Sequence, residues 1–264
     1  MVDILAKEQF VSIKEVAGLK PQNIYDDETF FNGYKKLREN INSANILEEK
    51  PAIFSLLPDL KGCDILDLGC GYGENCKAFS DMGARSVTGI DISAKMLDVA
   101  LRENAGLNIA YYNMGMEEIG ILDLKFDIVV SSLAVHYVSG FNKLVRDIHS
   151  LLNDNGIFVF SQEHPLTTAP IEGPRWMKDA AGNVDHYRLT DYARSGERKV
   201  SWIVDDVVKY HRTFSDIFNA LVFAGFCIER VVEPIPTGEM IKKLPAYEKD
   251  LHKPNFLVIK GTKR

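Results

Sequence analysis

The chain has 264 residues, of which 46% are hydrophobic and 26% are charged, a composition typical of a globular protein with one domain or one domain plus an insertion. Its formal net charge of −6 provides no general attraction for nucleic acid or for an anionic membrane surface. No stretch approaches the roughly 20 apolar residues of a membrane span, and the first ten residues lack the apolar core of a signal peptide. We therefore expect a cytoplasmic protein that binds neither nucleic acid nor membrane.

The cysteines and histidines do not form a metal-binding pattern. The four cysteines include no C-x-x-C pair, and the six histidines show no ligand spacing. We therefore predict no metal site and expect the cysteines to pack as small apolar side chains.

Residues 20–57 are expected to form two helices ahead of the first main strand. Pro21 and the acidic run 26–28 mark the start of the first helix, after which apolar residues recur at helical spacing. The second helix is expected over residues 45–57. Aromatic residues in such a helix commonly serve to pack it onto the domain.

A strand, a tight turn and a helix are predicted where three glycines follow an apolar run. The run covers residues 63–68, the glycines are Gly69, Gly71 and Gly73, and the helix begins at Glu74. Glycine reaches backbone angles that other residues avoid, and it allows close approach of a ligand to the main chain. This arrangement is typical of the point where an α/β sheet binds a nucleotide-like ligand.

Acidic residues at this turn favour a cationic ligand. Asp67 precedes the first glycine, Glu74 replaces the third glycine of G-x-G-x-x-G, and no lysine or arginine occurs between Gly62 and Cys76. Two carboxylates would repel the pyrophosphate of a dinucleotide, which normally sits at such a helix N-terminus. The turn therefore indicates a positively charged adenosine cofactor rather than NAD.

A second acid is expected at the end of the next strand. Residues 87–91 form a short strand that ends in Asp91, 22 residues after Gly69. A carboxylate in this position can accept hydrogen bonds from a ribose diol. The alternative is that Asp91 only caps the following helix, although Ser93 could also cap it.

The rest of the chain continues the alternation of strands and helices. We predict helices over residues 74–82, 94–104, 142–152 and 213–224, and strands over residues 107–112, 126–131, 156–162, 226–232 and 255–261. Residues 164–212 are too long for an ordinary connection and are rich in aromatic and basic residues. Within them, residues 199–204 and 207–211 are expected to pair as a hairpin across a turn at residues 205–206. Residues 234–254 are expected to be an exposed loop.

Four motifs in this order resemble those of the class I S-adenosylmethionine-dependent methyltransferases. The resembling segments are DILDLGCGYG at 64–73, VTGID at 87–91, FDIVVSS at 126–132 and LLNDNGIF at 151–158. The resemblance implies an α/β fold with a seven-stranded, doubly wound, mostly parallel sheet whose seventh strand inserts antiparallel beside the fifth. It also implies that N-terminal helices over residues 1–57 form a cover, with Tyr25, Tyr34 and Arg38 as candidate pocket residues, and that residues 58–163 and 213–264 form the cofactor-binding domain. The length of residues 164–212 predicts an inserted lid.

The resemblance also implies which residues bind S-adenosylmethionine and its product S-adenosylhomocysteine. The methionyl part would lie against Asp67 and the turn, the ribose against Asp91, and the adenine between Ile92 and Met116. Gly115 stands where many relatives have an acid that receives the adenine amino group. Glu117 or the Met116 amide would therefore contact the edge of the adenine instead. The full set of expected cofactor residues is Asp67, Gly69, Cys70, Gly71, Gly73, Asp91, Ile92, Met96, Met116, Glu117 and Ser132.

The expected reaction is transfer of the methyl group to an O, N or C nucleophile of a small molecule, by a monomer or homodimer. His136 or His211 would take a proton if the acceptor has one to lose. The expected acceptor contacts are Tyr25, Tyr34, Tyr137, His164, Tyr210 and Arg212, beneath an aromatic and basic lid suited to a planar or anionic compound. Strand alternation keeps Tyr210, His211 and Arg212 from all pointing the same way.

Three alternatives stay open at the level of sequence. An NAD-dependent oxidoreductase is disfavoured by the acids at the turn. A non-catalytic S-adenosylmethionine-binding protein would keep the pocket without turnover. A methyltransferase acting on protein or RNA would need an open basic groove, which the charge of −6 disfavours for RNA.

Overall fold

The structure, a computed structural model, describes residues 10–12 and 22–264. The strands are β1 (Phe10–Ser12), β2 (Asp64–Leu68), β3 (Ser86–Asp91), β4 (Ile109–Asn113), β5 (Phe126–Ser131), β6 (Leu152–Glu163), β7 (Trp176–Lys178), β8 (Val184–Tyr187), β9 (Gly196–Trp202), β10 (Val204–His211), β11 (Phe226–Val232) and β12 (Phe256–Lys263). The helices are α1 (Glu28–Arg38), α2 (Lys50–Leu56), α3 (Glu74–Asp81), α4 (Ala94–Glu103), α5 (Phe141–Leu151), α6 (Pro165–Thr168), α7 (Phe214–Phe223) and α8 (Gly238–Lys243). The expectations for Pro21 and for the first part of the N-terminal cover lie outside the described residues.

Seven strands form the predicted sheet in the order β4-β3-β2-β5-β6-β12-β11. The pairs among β4, β3, β2, β5 and β6 are parallel, whereas β12 runs antiparallel to both β6 and β11. This confirms the mostly parallel α/β sheet with an antiparallel strand beside the fifth. An additional short strand, β1, pairs in parallel with β4 at the edge and was not predicted.

Helices cover both faces of the sheet because its central strands are apolar on both sides. Along β2, Ile65 packs into a core with α3 and α4, and Leu66 packs into a core with α5 and α7. Side chains alternate between the two faces of a strand, so Asp67 shares the face of Ile65. The strand order reverses beside β2, where β3 and β5 lie on either side of it, and open α/β sheets bind ligands at the carboxyl ends of the strands flanking this point.

The N-terminal helices begin close to where the sequence predicts them. Asp27 caps α1 by accepting a hydrogen bond from the Phe30 amide at 2.8 Å. The second predicted helix is one helical segment whose first part, Asn45–Glu49, is a π-helix that continues into α2. Among the residues that the structure describes, no helix has the length and apolar character needed to traverse a lipid bilayer.

Two predictions for the C-terminal half need correction. The hairpin of β9 and β10 turns at Ile203, which has a left-handed φ of 63°, rather than at residues 205–206, where the strand register shifts instead. Residues 234–254 are not an irregular loop, because they contain α8 and the 3₁₀-helix Pro245–Leu251. Thr237 caps α8 by accepting a hydrogen bond from the Met240 amide at 3.2 Å.

Candidate functional site

A cavity of about 370 Å³ lies at the carboxyl ends of β2, β3 and β5, beneath α1 and the β9–β10 hairpin. A volume of this size is within the range of small-molecule and cofactor sites. Many of the residues expected to bind cofactor or acceptor line it: Tyr25, Tyr34, Gly69, Gly71, Asp91, Ile92, Met96, Met116, Glu117, Ser132, His136 and Tyr137.

The glycine turn has the left-handed backbone that its sequence predicts. Gly69, Gly71 and Gly73 have φ values of 73°, 53° and 72°. A side chain on Gly73 would overlap the hydroxyl of Tyr111, whereas a side chain on Gly71 would meet no protein atom within 4 Å. Gly73 is therefore required by packing, and Gly71 leaves open space in the cavity beside the main chain.

Asp91 joins the turn to the end of β3. Its Oδ2 accepts a hydrogen bond from the Gly71 amide at 2.8 Å, and its Oδ1 accepts one from the Ser93 amide at 2.9 Å. Ser93 caps α4, so Asp91 is not the helix cap. Burial raises the pKa of Asp91 to about 6. A carboxylate has about four acceptor positions, and two of them here remain available to ribose hydroxyls.

Asp67 does not line the cavity, which corrects the expectation that its side chain contacts the methionyl group. It is 1% exposed, and its Oδ2 accepts a hydrogen bond from the Cys76 thiol at 3.4 Å. The reason is the strand alternation that puts Asp67 on the α3 face of the sheet. Burial raises the pKa of Asp67 to about 7. Cys70 and Gly73 likewise do not line the cavity.

The charge at the turn is mixed rather than purely negative. Arg38 in α1 forms an ion pair with Glu74, and the Lys50 ammonium lies 3.6 Å from the same carboxylate. Arg38 and Glu74 both line the cavity. A site with a guanidinium beside a carboxylate suits a zwitterionic amino acid group, which carries both charges, and the residues present therefore fit the methionyl end of the expected cofactor.

The opposite side of the turn offers an apolar surface for a ring. Ile92, Met96 and Met116 line the cavity here, and Glu117 lies at its edge. Gly115 and Met116 begin a 3₁₀-helix, Met116–Ile121, whose entry is closed by the Gly115 amide donating to Glu118 Oε2 at 3.1 Å. Aliphatic side chains and the thioether of methionine are suitable partners for a planar base.

His136 lies at the far end of the cavity and is 3% exposed. Burial lowers the pKa of His136 to about 3, so its imidazole is neutral near pH 7. Its Nδ1 faces the Glu163 amide at 3.4 Å, which leaves Nε2 to carry the proton. A base of such low pKa accepts protons poorly. The geometry therefore favours hydrogen bonding by His136 over the proton transfer expected from the sequence.

An ion pair and several aromatic rings surround this end of the cavity. The Lys209 ammonium lies 2.6 Å from Glu163 Oε1, and it also lies 5.0 Å from the Trp202 ring and 5.7 Å from the Tyr137 ring. Burial alone would raise the pKa of Glu163, but Lys209 holds the carboxyl below its usual range. The Tyr25 ring stands edge-on to Tyr137, with centroids 6.3 Å apart. Trp202 and Glu163 also line the cavity.

Four predicted residues lie outside this cavity, which corrects their assignment. His164 Nε2 pairs with Glu233 at 2.8 Å, and His211 is held between the Thr168 hydroxyl and the Tyr192 carbonyl at 2.8 and 2.9 Å. The residues outside the cavity are His164, His211, Tyr210 and Arg212, and the hydrogen-bond partners of His211 both belong to the insert. Arg212 donates to the carbonyls of Val135 and Val138, and with Tyr210 and His211 it lines a separate surface cavity.

Glu49 is a buried group near the site that the sequence does not reveal. It is 0% exposed, its Oε1 accepts hydrogen bonds from the hydroxyls of Ser132 and Ser161, and its Oε2 accepts one from Asn45. Leu133, the residue after Ser132, lines the cavity with a left-handed φ of 51°. Glu49 thereby anchors the exit of β5 that carries Ser132. The sequence gives no sign of this because Glu49 lies 83 residues from Ser132.

The comparisons with known proteins agree with this geometry. Residues 66–160 match the family described as a methyltransferase domain. An uncharacterized protein of Haemophilus influenzae is 39% identical over 251 residues, which are 91% of this chain and 97% of that one. A solved structure from Listeria monocytogenes is 35% identical with a TM-score of 0.76, covering 82% of this chain and 96% of that one.

A crystal structure of an S-adenosylmethionine-dependent methyltransferase from Mesorhizobium loti matches in both sequence and fold. It is 38% identical, covers 84% of this chain and 98% of that one, and has a TM-score of 0.75. Similarity of this degree over nearly the whole of that protein confirms the resemblance seen in the motifs. The chain therefore belongs to the S-adenosylmethionine-dependent methyltransferases.

Proposed function

We propose that this methyltransferase acts on an O, N or C atom of a small molecule bound between the glycine turn and Trp202. The observation that carries this proposal is that one cavity is lined by Gly71 and Asp91 at one end and by Tyr137 and Trp202 at the other. A single cavity in contact with both ends can hold both reactants next to each other. A small molecule fits it better than a nucleic acid does, given the net charge of −6.

S-adenosylmethionine supplies an activated methyl group on a sulfonium, so the protein's task is to bind the cofactor and the acceptor and to align them. Asp91 would accept hydrogen bonds from the ribose hydroxyls, and the open space beside Gly71 would admit the cofactor close to the main chain. Ile92, Met96 and Met116 would enclose the adenine, with Glu117 at its edge. The main chain around Gly69 and Ser132 would border the sulfonium.

Arg38 and Glu74 would bind the two charges of the methionyl group. Both line the cavity beside the turn, and they already face each other as an ion pair. A bound amino acid group would place its carboxylate on the Arg38 guanidinium, which has five N–H donors, and its ammonium toward Glu74. The Arg38–Glu74 pair thus takes over the role that the sequence suggests for Asp67.

The acceptor would occupy the aromatic end, in contact with Tyr25, Tyr34, Tyr137 and His136. His136 has a pKa of about 3 and Glu163 has a pKa held below its usual range, so both are weak bases. We therefore assign His136 a hydrogen-bonding and positioning role. Alignment of the two reactants away from water can supply on the order of 7–11 kcal/mol of the barrier. An acceptor atom that is nucleophilic without prior loss of a proton suits this site best.

Residues 164–212 would act as a cap over the acceptor end, and residues 1–57 as a cover over the cofactor. Trp202 in β9 lines the cavity and packs edge-on against Phe30 and Tyr34, with centroids 5.3 and 6.1 Å away. The insert and α1 thus touch each other through aromatic rings above the cavity. The acceptor would reach its site by separation of these two layers.

The proposal is tested by binding and then by transfer. Titration calorimetry should show S-adenosylmethionine and S-adenosylhomocysteine binding to the purified protein, with no binding of NAD. Incubation with methyl-labelled S-adenosylmethionine and pools of small molecules should then produce a labelled product detectable by mass spectrometry. Binding of NAD in preference to S-adenosylhomocysteine, or label transferred only to protein or RNA, would contradict the proposal.

A further inference from the structure

A smaller cavity of about 170 Å³ lies beside the methyl-transfer cavity, inside the insert. Glu163 and Trp202 line both cavities, so the two are adjacent. Three cationic side chains, Arg175, Arg198 and Lys209, also line the smaller one. The proposed methyl transfer does not use these three cations, and their concentration in one cavity of a chain with net charge −6 needs a physical reason.

Arg198 and Lys209 face each other directly across the β9–β10 hairpin. Each is only 6% exposed. Like charges directly opposite on neighbouring strands repel each other, and burial strengthens the repulsion because it removes the screening by water. The hairpin therefore carries an unfavourable arrangement that an anion placed between the two cations would relieve.

The partners within the described residues neutralise only one of these three charges. Lys209 pairs with Glu163, but Arg198 donates only to the main-chain carbonyls of Arg194, Gly196, Glu197 and Ala169. Those four hydrogen bonds leave one of the five N–H groups of Arg198 unused. Arg175 makes no hydrogen bond or ion pair through its guanidinium with any residue that the structure describes. The lining of this cavity thus contains three cations and one carboxylate.

We propose that the smaller cavity binds an anionic group, a carboxylate or a phosphate, of the methyl acceptor. This inference rests on the proposed function, because it places the acceptor's ring or chain against Trp202 and its anionic end beyond it. The Arg175 guanidinium would bind the anion through paired N–H donors, and Lys209 would act as a second positive charge. Neutral analogues of the acceptor would leave Arg175 without a counter-charge and would be discriminated against.

Matched aromatic probes test this charge selectivity without knowledge of the true acceptor. Benzoate, phenyl phosphate and benzamide share a ring and differ in charge, and each is titrated into protein saturated with S-adenosylhomocysteine. We expect the better of the two anions to bind at least about tenfold more tightly than benzamide, since each charge-assisted hydrogen bond is worth about that factor or more. A preference for benzoate would indicate a carboxylate, and a preference for phenyl phosphate would indicate a phosphate.

Variants of Arg175 connect the selectivity to this cavity. Arg175→Gln should lower the ratio of anion affinity to benzamide affinity by about tenfold. Arg175→Lys should retain part of this preference because the charge is kept. Arg194→Gln is the matched control, since Arg194 belongs to the same insert but its side chain is 76% exposed and pairs with Asp191. Equal binding of anion and amide, or an unchanged preference in Arg175→Gln, would overturn the inference.

The titration with S-adenosylhomocysteine separates this inference from the proposed function. If S-adenosylhomocysteine binds to wild type and all variants but no anion binds, the anion site is wrong and the proposed cofactor site stands. If S-adenosylhomocysteine fails to bind to wild type, the proposed function itself fails. A melting curve for each variant confirms that loss of binding does not come from unfolding.

Discussion

The Gly71 amide donates a hydrogen bond to Asp91 Oδ2 at 2.8 Å, which ties the turn after β2 to the carboxylate at the end of β3. This single contact joins the two motifs that lie 20 residues apart in the chain. It orients the Asp91 carboxylate toward the cavity while leaving acceptor positions open. The shape of the turn therefore depends on the same side chain that we propose for binding the ribose.

Asp91→Asn should weaken binding of S-adenosylhomocysteine by about tenfold or more, because it removes the charge from hydrogen bonds worth about 1.5–3 kcal/mol each. Calorimetry on the variant measures the loss directly. Asp98→Asn, at an exposed position of α4, serves as the control and should bind as wild type does. Unchanged affinity in Asp91→Asn would remove Asp91 from the cofactor site.

Cofactor binding should weaken as the pH falls below about 6. The pKa of Asp91 is raised to about 6 by burial, and only the ionised carboxylate accepts hydrogen bonds with both oxygens. Protonation then competes with the ribose, so affinity should fall by up to about tenfold for each pH unit below the pKa. Comparing the pH profile of wild type with that of Asp91→Asn isolates this step, which should be absent from the variant.

Gly71→Ala and Gly73→Ala should separate binding from stability. At Gly71 an added methyl group meets no protein atom within 4 Å, so the cost is the left-handed backbone alone, about 1–2 kcal/mol. The same methyl would occupy space needed by the cofactor, and binding should be lost in a folded protein. At Gly73 the methyl overlaps Tyr111 and lies 2.7 Å from Asn104 Nδ2, so unfolding should become easier by about 2–5 kcal/mol.

Chemical denaturation and calorimetry on the two glycine variants check this distinction. The expected pattern is a folded Gly71→Ala protein without cofactor binding and a strongly destabilised Gly73→Ala protein. Normal cofactor binding by Gly71→Ala would show that the cofactor does not approach this part of the turn.

Arg38→Gln should weaken binding of the cofactor only through its amino acid end. We expect at least about a tenfold loss for S-adenosylhomocysteine, since a hydrogen-bonded charge pair is removed. Binding of 5′-methylthioadenosine, which has the same nucleoside but no amino acid group, should be nearly unchanged. Equal losses for both ligands would indicate a general disturbance of α1 instead, and Lys36→Gln on the exposed face of the same helix provides the control.

Asp67→Asn should change how stability depends on pH. The pKa of Asp67 is raised from 3.8 to about 7, so the folded protein holds this proton more tightly than the unfolded chain does. The contribution of this proton to the free energy of unfolding is complete below pH 3.8 and is lost as the pH rises through about 7. Between pH 5 and pH 8 wild type should lose about 3 kcal/mol from this group, and Asp67→Asn should not. Parallel curves for the two proteins would show that Asp67 is ionised in the folded state.

The strands, the glycine turn and the position of Asp91 were predictable because they depend on local sequence. Apolar runs define buried parallel strands, and three glycines define a turn that other residues cannot form. The Gly71 amide and Asp91 meet because parallel strands end at the same edge of the sheet. The motifs alone therefore indicate where the proposed cofactor would bind.

The acceptor side could be predicted only in part. Tyr25, Tyr34 and Tyr137 line the cavity as expected, but His164 and His211 do not. Aromatic and basic residues in an insert fit both a lid that lines a pocket and a lid that packs onto the domain. Which of them face the cavity depends on the register of the β9–β10 hairpin, and its turn at Ile203 was not evident from the sequence.

The sequence by itself determined the α/β sheet, the nucleotide-type turn and the carboxylate beside it, since each follows from the periodicity and residue types of a short segment. The tertiary structure alone decided which charged side chains meet in the site. Arg38 reaches Glu74 across 36 residues and Lys209 reaches Glu163 across 46, and no local pattern predicts such pairs. It also decided that Asp67 and His136 are buried, because desolvation depends on what the whole chain packs around a side chain, and burial shifts their pKa values.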